Sequence, residues 1–146
     1  NALPANVPVE KTLEQIGKAM NAVAEFAEGY GMGVRMEVHG PGTSALPHIK
    51  TMMDHAPNDY AKVCWNCNKE DMDGEGLEYN FNLVKDRIGT VHIHQFKPNY
   101  PWKDFFGLLR KTKFEGWTLW EDRDVPKSPG EGIKDYRAQW EKLAKP

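Results

Sequence analysis

Hydrophobic positions along the chain follow two spacings, one typical of helices and one typical of strands. From Val9 to Glu28, apolar side chains recur every three or four residues, which predicts an amphipathic helix. Glycines end this segment, and residues 34–39 then alternate strictly between apolar and polar side chains. That alternation predicts a strand with one buried face and one polar face.

The same order of helix and strand continues to the end of the chain. Further strands are predicted over residues 60–66, 89–95 and 117–121. Apolar stripes with helical spacing lie between and after the strands, over residues 46–53, 77–84, 102–109 and 133–143. The pattern is therefore one helix followed by four βα units, which indicates an α/β fold with a parallel sheet.

Two architectures accommodate parallel strands joined by helical crossovers. One is an open doubly wound sheet, and the other is a TIM barrel. A complete (βα)8 barrel needs at least about 200 residues, whereas this chain has 146. The pattern therefore predicts a single domain over residues 1–146 that is either a small open four-stranded sheet or half of a barrel.

In both architectures, functional side chains collect at the carboxyl ends of the strands. The polar residues at these ends are spaced 29, 26 and 29 residues apart, and they are Glu37, Asn66, His92 and Glu121. Taken singly, a strand-end Glu is usually a solvated residue, and a His within a strand is usually a hydrogen-bonded interior group. The regular spacing, however, predicts that all four lie at one level.

This set of side chains suits a metal site. Carboxylate, amide and imidazole ligands together fit one divalent ion, such as Mn²⁺, Mg²⁺, Co²⁺ or Zn²⁺. The two carboxylates, facing each other across the site, could also transfer protons. We therefore expect a divalent metal ion as the cofactor.

The two cysteines form a C-x-x-C sequence, Cys64-Trp65-Asn66-Cys67. Such a pair can be a redox dithiol, or half of a zinc site completed here by His92 and His94. The loop that follows is acidic, which would raise a thiol pKa and disfavours the redox interpretation. We interpret Cys64 as an inward strand residue and Cys67 as the first residue of a loop.

Charge and hydropathy limit the partners. The chain carries 19 basic and 21 acidic residues, a net charge of −2, without a Lys/Arg cluster, so the basic surface expected of a nucleic-acid binder is missing. No apolar run approaches the roughly 20 residues needed to cross a bilayer, and the first residues show no targeting pattern. We expect a cytoplasmic protein that binds a neutral or small anionic molecule, with neither nucleic acid nor membrane as a partner.

Five segments together resemble a known family. They are Met36-Glu37-Val38-His39, Val63-Cys64-Trp65-Asn66, Gly89-Thr90-Val91-His92, Tyr100-Pro101-Trp102, and Glu115-Gly116-Trp117 to Glu121. In order and spacing they resemble the C-terminal half of the sugar phosphate isomerase/epimerase group, the xylose isomerase-like TIM barrels. The resemblance implies half of a TIM barrel, with a missing N-terminal half or a second copy covering the sheet edges.

The resemblance also implies roles for the strand-end residues. Epimerases of this group hold one divalent metal ion with Glu, Asp, His and Glu, and the two Glu residues exchange the proton beside the sugar carbonyl through an enediolate. These roles would fall on Glu37, Asn66, His92 and Glu121, with Glu37 and Glu121 catalytic. Asn66 departs from the usual Asp, so the site loses a negative charge and metal affinity should fall.

Further residues are expected to contact a sugar or polyol substrate. Lys69 stands where many members have a substrate-contacting His, and His94 or Lys97 would compensate by holding substrate oxygens. His39 and Trp102 complete the expected set. The function implied is that of a metal-dependent sugar isomerase or epimerase, and the alternative is a degenerate half-barrel that binds carbohydrate without turnover. Endonuclease members would need additional His ligands and a basic groove, which the sequence lacks.

Overall fold

The computed structural model describes residues 3–96, 98–122 and 126–145. Within these ranges, helices and strands alternate along the whole chain. In order they are α1 (Val9–Glu28), β1 (Val34–Glu37), α2 (Leu46–Asp54), β2 (Ala61–Trp65), α3 (Leu77–Val84), β3 (Ile88–Ile93), α4 (Trp102–Lys111), β4 (Trp117–Trp120) and α5 (Pro129–Ala144). None of the described helices is both long enough and apolar enough to cross a membrane. The cytoplasmic location expected from the sequence stays a prediction.

The four strands form one parallel sheet in the order β1-β2-β3-β4. When neighbouring parallel strands follow one another in sequence, right-handed crossovers bring every connecting helix to the same face of the sheet. A doubly wound sheet reverses its strand order at one point and has helices on both faces. The observed order is that of a segment of a TIM barrel, so the doubly wound alternative is wrong.

The core lies between the helices and the outer face of the sheet. Trp65 on β2 is fully buried, and its ring packs 5.8 Å from Phe81 of α3 and 5.6 Å from Phe105 of α4, measured between centroids. Helices α1 and α2 pack closely because α1 has a glycine at their contact. A Cβ atom at Gly17 would lie only 2.2 Å from the backbone oxygen of Met52.

The inner face of the sheet is open within the described chain. On β4, Trp117 is 72% exposed and Leu119 is 43% exposed. In a complete barrel, this face would line a packed interior. The fold therefore leaves apolar surface that needs a cover.

The element bounds agree closely with the pattern of the sequence. Helix α1 spans the predicted residues, whereas the strands end one or two residues earlier than predicted. Strand β3 also begins one residue earlier, at Ile88, because its pairing with β2 is irregular. Val63 pairs with Ile88 but Cys64 pairs with Thr90, which leaves Gly89 as an extra residue in β3.

Candidate functional site

The pairing of the strands places the predicted ligands on one face of the sheet. A row of partners runs across the four strands, namely Glu37, Cys64, Thr90 and Trp117. Asn66 and His92 lie two residues beyond this row, and Glu121 lies four residues beyond it. Because side chains on a strand alternate between faces, even steps keep the same face. All four residues therefore belong to the inner face.

The predicted ligands do not share one hydrogen-bonding row, although the sequence predicted a single level. Their positions advance by up to four residues from β1 to β4. Strands in a TIM barrel tilt by roughly 36° to the barrel axis, so residues at equal height advance in register from strand to strand. The offset in register therefore agrees with all four residues lying at the same height along the barrel axis, at the carboxyl edge of the sheet.

Three of the four residues meet in a small cluster. One ligand atom from each of Glu37, His92 and Glu121 lies within 4.8 Å of the others. Nδ1 of His92 is 3.1 Å from Oε2 of Glu121 and 3.7 Å from Oε1 of Glu37. Two ligands bound about 2.1 Å from one ion at near right angles lie about 3 Å apart. The separations from the imidazole therefore suit a shared ion.

The ring nitrogen of His92 is buried and has no hydrogen-bond partner among the described residues. It lies close to Glu121, but the two groups are not aligned as a donor and an acceptor. The carboxylates themselves are accessible, since the Glu37 side chain is 42% exposed and the Glu121 side chain is 50% exposed. A small molecule can therefore reach both of them from the open side of the sheet.

Asn66 follows β2 directly and is only 1% exposed. Its oxygen Oδ1 is buried and has no hydrogen-bond partner among the described residues. Buried polar atoms are rarely left unpaired, because the loss of their hydration is costly. A buried, unpaired amide oxygen on the same face of the sheet as Glu37, His92 and Glu121 would be satisfied by a cation, so these residues fit a divalent metal ion.

Two of the residues expected to bind substrate lie beyond the carboxyl ends of their strands, His39 after β1 and Lys69 at the start of a short 3-10 helix, Lys69–Met72. His39 is exposed, and with Glu37 it lines a cavity of about 340 Å³ whose other walls include side chains of α1 and α2. Lys69 is 85% exposed, and its ammonium lies 3.9 Å from a carboxylate oxygen of Glu70.

The other expected substrate residues are placed differently. His94 is turned to the backbone, with Nδ1 2.9 Å from the carbonyl oxygen of Glu121. Trp102 is buried at the start of α4, where it packs against the rings of Phe96 and Tyr100. Lys97 lies outside the described residues.

The cysteines do not join the cluster of possible metal ligands found among the described residues. Both thiols are free and buried. Burial raises the pKa of Cys64, and burial together with the nearby Asp71 raises the pKa of Cys67 well above its ordinary value. A raised pKa disfavours the thiolate that redox chemistry and zinc binding require.

Sequence reasoning missed a buried series of hydrogen-bonded side chains that begins at Trp65, directly before Asn66. The indole of Trp65 donates a hydrogen bond to the hydroxyl of Tyr100 (3.1 Å), which in turn donates to the carboxylate of Asp71 (2.7 Å). Asp71 lies in the acidic loop that the pattern marks as solvated, yet it is completely buried. An isolated Asp in an acidic loop gives no signal of burial, because its partners come from distant segments.

Three solved structures of sugar epimerases are similar to this chain. The 3-keto-D-glucoside 4-epimerase from E. coli aligns over 95% of this chain and 57% of its own, with a TM-score of 0.77 and 14% identity. The D-psicose 3-epimerase structure, in the presence of D-fructose, aligns over 97% of this chain and 56% of its own, with a TM-score of 0.68 and 16% identity. For D-allulose 3-epimerase from Methylomonas sp., the corresponding shares are 88% and 50%, with a TM-score of 0.65 and 17% identity.

The TM-scores show a common fold, and the chain spans about half the length of each of these epimerases. No curated protein sequence matches the chain significantly. A sequence family does match, over residues 2–144, and its description is xylose isomerase-like TIM barrel. The expected half of a TIM barrel is thereby confirmed, and the chain belongs to the xylose isomerase-like TIM barrel family.

Proposed function

We propose that this chain carries the metal and proton-transfer site of a sugar isomerase or epimerase. The observation that carries the proposal is the meeting of Glu37, His92 and Glu121 within 4.8 Å at the carboxyl edge of the sheet. Functional sites of TIM-barrel enzymes lie at this edge. The similarity to sugar epimerases supports the same class of substrate, a sugar or polyol.

Four residues would hold one divalent ion, with Asn66 joining the cluster of Glu37, His92 and Glu121. The unpaired oxygen of Asn66 and the unpaired ring nitrogen of His92 support this assignment. Oxygen-rich sites with a single imidazole suit Mn²⁺, Mg²⁺ or Co²⁺, and Zn²⁺ accepts the same ligands. When bound, the ion would act as a Lewis acid toward the substrate carbonyl.

The two carboxylates would move the proton on the carbon beside that carbonyl. Glu37 and Glu121 come from the ends of the two edge strands of the sheet, β1 and β4, so they would approach a bound sugar from different sides. One would remove the proton as a general base, and the other would return a proton to the opposite face as a general acid. Their partial exposure supports direct contact with the substrate.

His39 and Lys69 would bind substrate oxygens at the rim, and Lys97 remains a candidate from the sequence. His39 is exposed and follows Glu37 by two residues, which supports a substrate contact near that carboxylate. The exposed ammonium of Lys69 has a long contact with Glu70, 3.9 Å, so a substrate oxygen could compete for it.

A complementary half-barrel would complete the site. Strands β1 and β4 are the edges of the described sheet, and bare edges invite pairing with another chain. The chain spans about half the length of the similar epimerases, which supports an N-terminal half as the cover, and a second copy is the other candidate.

A second candidate function is carbohydrate binding without turnover. The observation that favours it is Asn66, which supplies a neutral ligand where a carboxylate would hold the ion more strongly. A site that loses its ion would keep only the rim residues for sugar binding.

Metal location tests the proposal. Crystals of the complete protein, grown without chelator and soaked in Mn²⁺, should give an anomalous peak within about 2.3 Å of oxygen or nitrogen atoms of Glu37, Asn66, His92 and Glu121. Soaked crystals without a peak at this cluster would contradict the proposal. A peak on Cys64 and Cys67 would instead favour the zinc interpretation of the C-x-x-C sequence.

A further inference from the structure

The buried hydrogen bonds of Trp65, Tyr100 and Asp71 join the segment that follows β2 to the segment that precedes α4. All three side chains are at least nine-tenths buried, and two hydrogen bonds of 3.1 and 2.7 Å connect them. Burial raises the pKa of Asp71 to about 7, although the Tyr100 hydroxyl lowers it. A carboxyl group in such surroundings contributes little to stability that a well-packed apolar residue would not.

Trp65 and Asp71, at the two ends of this hydrogen-bonded series, both connect to the segment that holds Asn66. Trp65 precedes Asn66 directly, and the backbone N–H of Asp71 donates a hydrogen bond to the carbonyl oxygen of Asn68 (3.2 Å). The side-chain amide of Asn68 then donates to the carbonyl oxygen of Val38 (2.7 Å), which follows Glu37. The loop is thereby tied to the strand that carries Glu37.

Cys67, within this segment, has a left-handed backbone with φ of +46°. Residues other than glycine rarely adopt this conformation, and it persists only where the surrounding contacts impose it. The conformation makes the chain turn sharply just after Asn66. The hydrogen bonds of Asp71 and of the Asn68 side chain are contacts that can impose that turn.

We propose that Tyr100 and Asp71 are positioning residues, which fix the turn at Cys67 and so hold the amide oxygen of Asn66 toward Glu37, His92 and Glu121. This inference rests on the proposed metal site, because Asn66 matters there as a ligand. Tyr100 acts from the loop before α4 and touches none of the proposed ligands in the hydrogen bonds described above. Its effect on the ion would pass entirely through the loop.

The test uses Tyr100→Phe, which removes the hydroxyl and keeps the ring. Mn²⁺ affinity is measured by electron paramagnetic resonance titration of the complete protein. Loss of an outer-shell partner typically costs about 10- to 100-fold in metal affinity, and we expect a loss in that range. Asp71→Asn should cause a smaller loss, because its amide oxygen can still accept the Tyr100 hydroxyl.

Two comparisons separate positioning from general damage. Val84→Ala removes buried volume at the far end of α3 and should lower stability while leaving Mn²⁺ affinity unchanged. In an Asn66→Ala background, Tyr100→Phe should have no further effect, since the residue through which it acts is gone. Wild-type affinity in Tyr100→Phe, or an equal loss in both backgrounds, would overturn the proposal.

Hydrogen exchange in metal-free protein provides a readout that does not depend on the metal site. Tyr100→Phe should accelerate amide exchange over residues 66–68, whereas Val84→Ala should not do so selectively. If wild-type protein binds no Mn²⁺ but Tyr100→Phe accelerates this exchange, the proposed function fails and the fixing of the turn stands. Unchanged exchange over residues 66–68 would overturn the positioning role itself.

Discussion

The imidazole of His94 lies 2.9 Å from the backbone oxygen of Glu121, the residue that follows the neighbouring strand β4. The backbone N–H of Glu121 donates a hydrogen bond to the carbonyl oxygen of Ile93 (3.0 Å). Glu121 is therefore held on both sides of its α-carbon by the segment that follows His92. These two contacts fix the backbone of Glu121, one residue beyond β4, and so fix the point from which its side chain extends.

His94→Ala should impair catalysis rather than substrate binding. If His94 positions Glu121, its loss lowers kcat and leaves KM nearly unchanged, because the reacting carboxylate loses its alignment. A substrate contact, which the sequence suggested, would instead raise KM. Steady-state kinetics on the complete protein separate the two, with His39→Ala as the control that should raise KM.

Asn66→Asp should tighten metal binding. The change keeps the size of the side chain and adds a negative charge beside a buried oxygen, Oδ1, that lacks a hydrogen-bond partner among the residues described. We expect Mn²⁺ affinity to rise by about 10-fold or more, measured by titration calorimetry. Asn82→Asp adds the same charge on the exposed side of α3 and should leave affinity unchanged. Equal affinity of Asn66→Asp and the wild type would argue against Asn66 as a ligand.

Asp71 should make stability depend on pH. Burial raises its pKa to about 7 in the folded protein, against about 3.9 in an unfolded chain. Between these values the folded state holds a proton that the unfolded state has released, so stability falls as pH rises. The contribution of protonated Asp71 to the free energy of unfolding is fully present below about pH 4, and it is lost as the pH rises through about 7.

Through this one proton, the free energy of unfolding changes by at most about 1.4 kcal/mol per pH unit. Urea unfolding of metal-free protein between pH 5 and pH 8.5 measures it, and Asp71→Asn should flatten the dependence. A profile that is the same in the wild type and in Asp71→Asn would show that Asp71 does not titrate in this range.

The 146-residue chain alone should associate. Its inner sheet face exposes Trp117 and Leu119, and its two edge strands lack partners within the described chain. Leu119→Lys should reduce association in sedimentation velocity, whereas Tyr79→Lys on the exposed side of α3 should not. A stable, folded monomer of 16.7 kDa would contradict the need for a cover.

The sequence predicted the fold well because its elements depend on local patterns. The apolar stripe from Val9 to Glu28 and the alternation that starts at Val34 each fix an element without knowledge of its neighbours. The start of β3 was less predictable, because the irregular pairing at Gly89 is a relationship between two strands.

The candidate site could be predicted only in part, for a similar reason. Glu37, His92 and Glu121 could be proposed from their repeat along the chain, since strand ends converge in any parallel sheet. The link from Trp65 to Tyr100 and Asp71 depends on three-dimensional packing across 35 residues of sequence. His94 likewise looks the same in the sequence whether it contacts a substrate or a backbone oxygen.

Proton exchange with solvent tests the central claim most directly. The complete, Mn²⁺-loaded protein is incubated in D₂O with a panel of ketoses and inositol derivatives, and NMR follows deuterium at the carbon beside the carbonyl. We predict incorporation into at least one compound, and its reduction by roughly 10²–10⁴-fold or more in Glu37→Gln and in Glu121→Gln, with sugar binding still measurable. A filled metal site without incorporation into any sugar would contradict the proposed chemistry and favour carbohydrate binding without turnover.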